Sequence, residues 1–513
     1  MNEVVNLVLR DRIYHQVAEI ADPHDKQEEF FRLLAGQEIQ HPNLDIIDYA
    51  RVRIMYEVET GLPDLIKEGV GIFHDLFNDN PSKVSKGNGR VELIGNFTDQ
   101  LEDGHAIGFP LANNIVALAG ENDDGIIDVY SKNQKDRYQI NLDEVNRWQD
   151  LDEVKLRETG APKWVWYLLT TLFELKQDFE FTQGFDMVLV DDLPGVGGLS
   201  SSAALESAFA YAALEIQGYE NEEFVVPEER EGKKTYSKKQ VIRAAKLGEN
   251  RFAGCGWLDQ ALSNAIAAAM LKFGKEGEAS TFTHEDSIDL SLLTNAGYKI
   301  YVGVDENMPR NLANTGYGHK VECANRARDY LLELGGKANI EDLALFQQII
   351  KDQIGEEEYK ALYHLVSEND RVLKFFKKFK QAEHEGREQL NPNELEAIFE
   401  LINASGQSSL ENWGVADAVD KAKDVPELNE IIEMAKGDKN VEAVRTHGGG
   451  WTTTHLIIVH KDVADATTKK FEDAYNGKGG GRKLRYVEAN VGLGSQAVPD
   501  IALKMLEAEE QLE

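Results

Sequence analysis

Pro194-Gly-Val-Gly-Gly-Leu-Ser-Ser-Ser-Ala-Ala204 is the stretch on which the reading of this 513-residue chain turns. Before it, residues 187–190 (Met-Val-Leu-Val) form an apolar run with the character of a buried strand. After it, residues 200–214 are small and apolar, a strong helix candidate. Gly195, Gly197 and Gly198 leave the connecting backbone without Cβ atoms, so its N–H groups can converge on one anion. Leu199 then leads into Ser200, Ser201 and Ser202, where the unpaired N–H groups and positive dipole end of the helix favour negative charge. Their hydroxyls can bond phosphate oxygens or reach Mg2+, which prefers hard oxygen ligands. Strand, glycine loop and helix in this order suit a polyphosphate; the competing reading is a serine-capped connection with no ligand. The spacing matches neither a Walker loop, which needs Gly-Lys-Ser/Thr, nor a Rossmann fingerprint.

On the N-terminal side of this unit, residues 89–95, 112–118 and 126–130 read as short strands separated by Gly, Asn and Asp turns. The first eighty residues carry helical spacing and no glycine-rich loop, which predicts a helical extension over residues 1–80 with no chemistry of its own. On the C-terminal side, residues 220–239 read as a charged surface stretch, and helices are expected from about 239 to 250 and over 259–271. Residues 298–304 read as a strand, the chain is then largely helical to about 436, and strands return at 454–460 and 483–489. The order of elements predicts an α+β chain of two domains, residues 81–290 and 291–513, without internal repeats.

Composition narrows the function. With 42% hydrophobic residues the chain can bury a sizeable core. A formal charge of −35 repels polyanions, so nucleic acid and anionic membrane surfaces are not expected partners. The same field repels nucleotide phosphates, so a nucleotide site here must supply backbone amides, a helix N-terminus and a divalent cation locally. Two cysteines, Cys255 and Cys323, make neither a disulfide framework nor a structural zinc set, and nowhere do eighteen apolar residues run together. A cytoplasmic protein is the expectation.

The glycine-serine stretch resembles the Pro-x-Gly-x-Gly-Leu-Ser-Ser-Ser-Ala-Ala signature of the GHMP small-molecule kinases, galactokinases in particular. Gly89-Arg-Val-Glu-Leu-Ile-Gly-Asn-Phe-Thr-Asp99 resembles the galactokinase opening motif Gly-Arg-Val-Asn-Leu-Ile-Gly-Glu-His-Thr-Asp. Glu249-Asn-Arg-Phe-Ala-Gly-Cys-Gly-Trp-Leu-Asp-Gln260 is similar to the stretch ending in the family's Met-Asp-Gln, and Arg445-Thr-His-Gly-Gly-Gly-Trp-Thr-Thr-Thr454 stands at the place of its third glycine motif. Four blocks in family order cover roughly residues 86 to 495.

The resemblance implies a two-domain fold with the active site between the domains, ATP and Mg2+ as cofactors, and a small monosaccharide phosphorylated on its anomeric hydroxyl, galactose first. By the same resemblance Asp259 is the general base and Arg90 its permanent cationic partner. Ser202 and Glu249 hold the metal, and Asn96, Asp99, Gly104 and Tyr317 line the sugar pocket. The alternatives are a galactokinase-like sensor that binds sugar and nucleotide without transfer, and a kinase of an amino-sugar, a uronic acid or arabinose. This chain departs from the family pattern where Asn96 and Phe97 replace Glu-His, Gln100 replaces an aromatic, Val196 takes a loop glycine position, and Thr452 and Thr453 replace two glycines. The stretch from Glu249 to Asp259 is also two residues short. His447, beside the third motif, reads as a packed or surface histidine.

Overall fold

Two helices precede the first strand in the computed structural model, which describes residues 44–194, 197–223, 232–274, 282–308, 316–418, 421 and 424–510. They are α1 (Leu44–Val58) and α2 (Leu62–Phe77). In α2, Leu62, Leu65, Ile66, Gly69 and Phe73 recur at helical spacing and form the buried stripe, while Pro63 and Asp64 sit in the first turn, where a missing N–H and a negative charge are tolerated best. A Cβ on Gly69 would lie 2.1 Å from Leu118 Cδ1, so α2 packs closely on the sheet there and a larger residue would have to displace that leucine. The expected helical extension is seen over the described part of residues 1–80; residues 1–43 lie outside it.

The first sheet is mixed. Its path runs β14 (Gln496–Val498), β1 (Lys83–Ile94), β2 (His105–Asn122), β5 (Gly184–Asp191), β3 (Ile126–Ser131) and β4 (Asp136–Asn141), with β8 (Ala269–Phe273) pairing β2 and β9 (Phe282–Ser287) pairing β8. Only β3 and β5 pair in parallel within it. β1 is buried along all but its first residue, because helices cover both faces of the sheet. On one face lie α3 (Lys163–Leu175), α4 (Ser201–Ile216) and α5 (Lys238–Glu249). A Cβ on Gly87 would fall 1.8 Å from Ala204 O, so glycine in β1 is what brings α4 against the strand.

One expected element is corrected. Residues 259–271 are not a single helix: α6 spans Leu258–Ser263, and Ala269–Phe273 is strand β8. The run is rich in helix-forming alanine, but Asn264 Nδ2 donates to Ser207 Oγ (3.0 Å) and Gln260 O (2.9 Å) and closes the helix. Residues 269–272 then satisfy their backbone by pairing with 105–108 of β2, a tertiary partner that outweighs local propensity.

A second, antiparallel sheet has the order β11 (Val441–Thr446), β12 (His455–His460), β10 (Tyr298–Asp305) and β13 (Leu484–Glu488). Around it pack α7 (Tyr317–Glu333), the 29-residue α8 (Glu356–His384), α9 (Pro392–Ser408) and α10 (Pro426–Lys436). The chain end does not stay with this sheet: β14 pairs antiparallel with β1, an excursion that a division at residue 290 leaves out. Two short strands, β6 (Glu220–Asn221) and β7 (Thr235–Tyr236), pair within the charged stretch. Among the described residues no helix is long and apolar enough to cross a membrane.

Candidate active site

Arg90 lies in the middle of β1, next to a register shift between Asn88 and Arg90. Its side chain is almost wholly buried, and it donates to Asp259 Oδ1 from Nε (2.9 Å) and Nη2 (2.6 Å). Asp259, in the first turn of α6, keeps 27% of its side chain exposed, so the pair has a closed cationic end and an open carboxylate end. Arg90 Nη1 also donates to Gly198 O, and Arg90 N donates to Leu199 O (3.0 Å). One arginine thus ties the carboxylate and the glycine loop together, although the two partners stand 169 positions apart in sequence. A planar fork with five donors is suited to such bridging.

Gly195 and Val196 lie outside the described residues. Gly198 takes φ +108° and Ser200 φ +56°, so the backbone turns through left-handed conformations before entering α4. Ser200 is fully buried and its Oγ has no protein partner, while Ser201 is exposed and Ser202 half-buried at the helix start. The second sheet braces the loop from the other side. Thr454 Oγ1 donates to Gly197 O (2.7 Å), and a Cβ on Gly198 would lie 2.5 Å from Thr454 Cγ2. Thr452 Oγ1 donates to Thr454 Oγ1 (3.1 Å), and Thr453 Oγ1 accepts from Asp305 N (3.3 Å). The threonines that replace glycines are therefore hydrogen-bonded parts of the brace. His447 is buried, and its Nε2 accepts from Glu92 N (3.0 Å). Burial, then the charges of Arg90 and Arg445, push that imidazole well below its usual range, so it packs as a neutral ring.

Behind the ion pair is a carboxylate cluster. Glu249, the last residue of α5, is mostly buried, and Gln260 Nε2 donates to its Oε2 (2.7 Å) and, more weakly, to Glu206 Oε2 (3.4 Å). Glu206 lies one turn beyond Ser202 on α4, fully buried, with Oε1 lacking a protein partner. Burial and then the charge of Glu249 push the Glu206 carboxyl well up, and the same two carboxylates, after burial, raise the Cys255 thiol. Hard oxygens, excess negative charge and an unpartnered buried oxygen fit a cation of the magnesium type. Glu206 and Gln260 were not singled out by sequence reading; the signal for Glu206 was its place four residues after Ser202 on one helix face.

Residues 95–104 form a tight loop on the far side. Gly95 takes φ +117°, where a Cβ would fall 2.5 Å from Ala106 Cα, and Thr98 Oγ1 bonds Gly95 O and His105 O, both at 2.7 Å. Helix α8 holds the loop: Glu368 Oε1 accepts from Gly95 N (2.9 Å), Asn96 N (3.3 Å) and Ser405 Oγ (2.5 Å), while His364 Nε2 donates to Asn96 O (3.1 Å). Burial works against the Glu368 carboxylate, but Arg371, Arg445 and His364 together hold it at about 2. Phe97 turns away from the loop and stacks on Trp413, centroids 4.6 Å apart and planes 13° off parallel. Asn96 is buried, and its Nδ2 has no protein acceptor.

Asp99 is half-buried against Gly256, where a Cβ would lie 1.5 Å from Asp99 Oδ2. Burial, then the charges of Asp259 and Glu92, push its carboxyl up to about 7. Gln100 Nε2 donates to Tyr317 Oη (3.0 Å), so Tyr317 reaches the loop from the start of α7. Gly104 uses both backbone groups internally, donating to Leu101 O (3.2 Å) and accepting from Phe273 N (2.8 Å). A Cβ there would meet Thr98 O at 1.9 Å, so its glycine closes the turn.

Residues 165–269, from α3 to the start of β8, match the family model for the GHMP kinases N terminal domain. A galactokinase of Bacillus subtilis is 26% identical over 439 residues, covering 83% of this chain and 97% of that protein. A galactokinase of Thermosipho africanus is 26% identical over 407 residues, covering 78% and 96%. In fold, the chain is similar to the crystal structure of Lactococcus lactis galactokinase complexed with galactose, with a TM-score of 0.64 at 21% identity over 83% of this chain and 98% of that one. A loop that the second sheet braces against a buried arginine thus lies in a chain that carries a match to the GHMP kinases N terminal domain, is similar over most of its length to galactokinases and shares its fold with one of them.

Proposed function

We propose that the chain is an ATP-dependent sugar 1-kinase of the cytoplasm, with galactose as the first candidate substrate and Asp259 as the residue that takes the proton. The observation that carries this reading is the single contact set of Arg90 to Asp259 and Gly198, which puts a carboxylate, a buried cation and an anion-binding loop at one point. The anomeric hydroxyl gives its proton to Asp259, its oxygen forms the bond to the γ-phosphorus, and the bond to the bridging oxygen breaks so that ADP leaves with the electron pair. Arg90 sits where the transferring group is most negative, and the N–H groups at the start of α4, with Ser200 and Ser201, receive the phosphates. Ser202 and Glu249 are the proposed Mg2+ ligands; bound there, the ion neutralises phosphate charge. Asp99 takes ring hydroxyls, Asn96 Nδ2 offers an unpartnered donor, Tyr317 closes the pocket, and Gly104 shapes the turn that presents Asp99.

The direct test is coupled ADP release by the purified protein with Mg2+ and a panel of galactose, arabinose, amino-sugars and uronic acids. Turnover with one member and sugar 1-phosphate as product is expected. Sugar binding without ATP consumption would replace the kinase with a sensor.

Asp99 adds a pH dependence. As a carboxylate it accepts hydroxyl donors, so below its value of about 7 it must first lose a proton. The KM for sugar should therefore rise about tenfold per pH unit below about pH 6 and level off above about pH 8. Asp99→Asn should weaken binding and flatten that profile. The sugar-free protein has the opposite sign: stability from this carboxyl is full below its ordinary 3.8 and lost as pH rises through about 7. The gain in Tm on adding sugar is then larger at the alkaline end, and a pH-independent gain would remove Asp99 from the pocket.

A further inference from the structure

We propose that His319, Cys323 and Glu357 form a binding site for a soft divalent cation of the zinc class, outside the phosphate and sugar pockets. His319 and Cys323 are four residues apart on α7 and so share one helix face, and Glu357 stands opposite them in the first turn of α8. The three candidate ligand atoms lie within 4.8 Å of one another. Two of the separations have metal-site dimensions: Cys323 Sγ to His319 Nε2 is 3.5 Å, and His319 Nε2 to Glu357 Oε1 is 3.3 Å. Tetrahedral zinc with its usual bond lengths spaces sulfur from nitrogen by about 3.6 Å and nitrogen from oxygen by about 3.4 Å. A cation can enter between these atoms with small side-chain rotations and keep a water as its fourth ligand.

The donor set selects the cation. Thiolate, imidazole and carboxylate together suit zinc, whereas Mg2+ keeps to oxygen and belongs to the Ser202 and Glu249 pocket. Cys323 is fully buried in the core that contains Tyr301 and Trp413, which fixes its sulfur, while His319 and Glu357 are partly exposed and form the entry. Two cations flank the site. Lys320 Nζ lies 2.6 Å from Glu357 Oε1, and Arg326 Nη2 donates to Cys323 Sγ (3.2 Å) and to Glu358 Oε1 (2.8 Å). Against them stand Glu322, Glu357 and Glu358, and a thiolate at Cys323 makes the local excess two negative charges, which one divalent cation balances. Arg326 favours the thiolate that burial and the neighbouring glutamates oppose, so metal uptake displaces a proton from the sulfur. A metal here pins the first turns of α7 to α8, two residues beyond Tyr317.

The test uses the full chain, stripped of metal and titrated with Co2+ in the presence of excess Mg2+. One equivalent of Co2+ should produce a thiolate-to-cobalt charge-transfer band in the near ultraviolet, and Zn2+ should abolish it stoichiometrically. His319→Ala alters a partly exposed side chain and keeps both cysteines, so loss of the band in this variant assigns the sulfur to Cys323 and not Cys255. Cys323→Ser should lose the band as well, and Glu357→Gln should weaken Zn2+ affinity at least about tenfold. Absence of the band in the wild type, or its survival in His319→Ala, overturns the proposal. Neither readout involves ATP or sugar, so the outcome is separate from that of the kinase assay.

Discussion

Asp259→Asn is expected to lower kcat by about 10²- to 10⁴-fold, the range for loss of a positioned general base, with ATP affinity and fold retained. Asparagine keeps the size of the side chain and an oxygen that can accept from Arg90 Nε and Nη2, so the guanidinium stays placed under Gly198. What it lacks is the capacity to take the hydroxyl proton. Alanine would be the poorer choice, because it strands a guanidinium that is almost wholly buried, and breaking a buried pair in that way costs about 3–5 kcal/mol of stability. Loss of kcat with unchanged ATP binding by calorimetry is the expected pattern. Tm should be lowered by the missing counter-charge, but by less than in Asp259→Ala, because the amide oxygen still accepts from the guanidinium. An Asn variant that turns over within a few-fold of wild type would take the proton-accepting role from Asp259 and leave it a partner for Arg90 only.

The second large effect lies far from the chemistry, in the N-terminal extension. Glu59, just past α1, is fully buried and enters the first sheet beside β1. Its Oε1 accepts from Lys86 Nζ (2.9 Å), Asn88 Nδ2 (2.9 Å) and Leu493 N (2.8 Å), and Oε2 accepts from Asn114 Nδ2 (3.2 Å). Lys86, equally buried, also donates to Asn88 Oδ1 (2.8 Å) and Gly494 O (2.7 Å). Burial pushes its ammonium down and Glu59 opposes that shift. Glu59→Ala leaves a buried cation without its counter-charge and should cost about 3–5 kcal/mol in urea denaturation. Replacing both partners with apolar residues, Glu59→Leu with Lys86→Met, should recover part of that loss, because the two changes together leave no lone charge. A single-variant loss below about 1 kcal/mol would show that water reaches the pair. Asn88 is two residues from Arg90 on the same strand, so an extension expected to carry no chemistry still supports the strand that holds Arg90.

Local chemistry determined what could be read from the sequence alone. The glycines and serines of 194–204 announce a turn and a helix start because positive φ and free N–H groups depend on a few neighbouring residues. The apolar runs at 187–190 and 298–304 lie inside strands β5 and β10 because burial on a sheet leaves its mark residue by residue. Arg90 and Asp259 stood out only through resemblance, since no spacing rule joins residues 169 positions apart.

What the tertiary structure decided has long-range causes. Residues 269–273 are a strand and not the end of a helix because β2 offers them a backbone partner, and no local pattern encodes that offer. Glu368 reaches Gly95 and Asn96 across 273 and 272 positions, and Glu59 reaches Leu493 across 434; each is a charged residue that reads as solvated surface until the fold surrounds it. A buried charge persists only where several distant groups converge to satisfy it, and that convergence belongs to the packed chain, not to any segment of it.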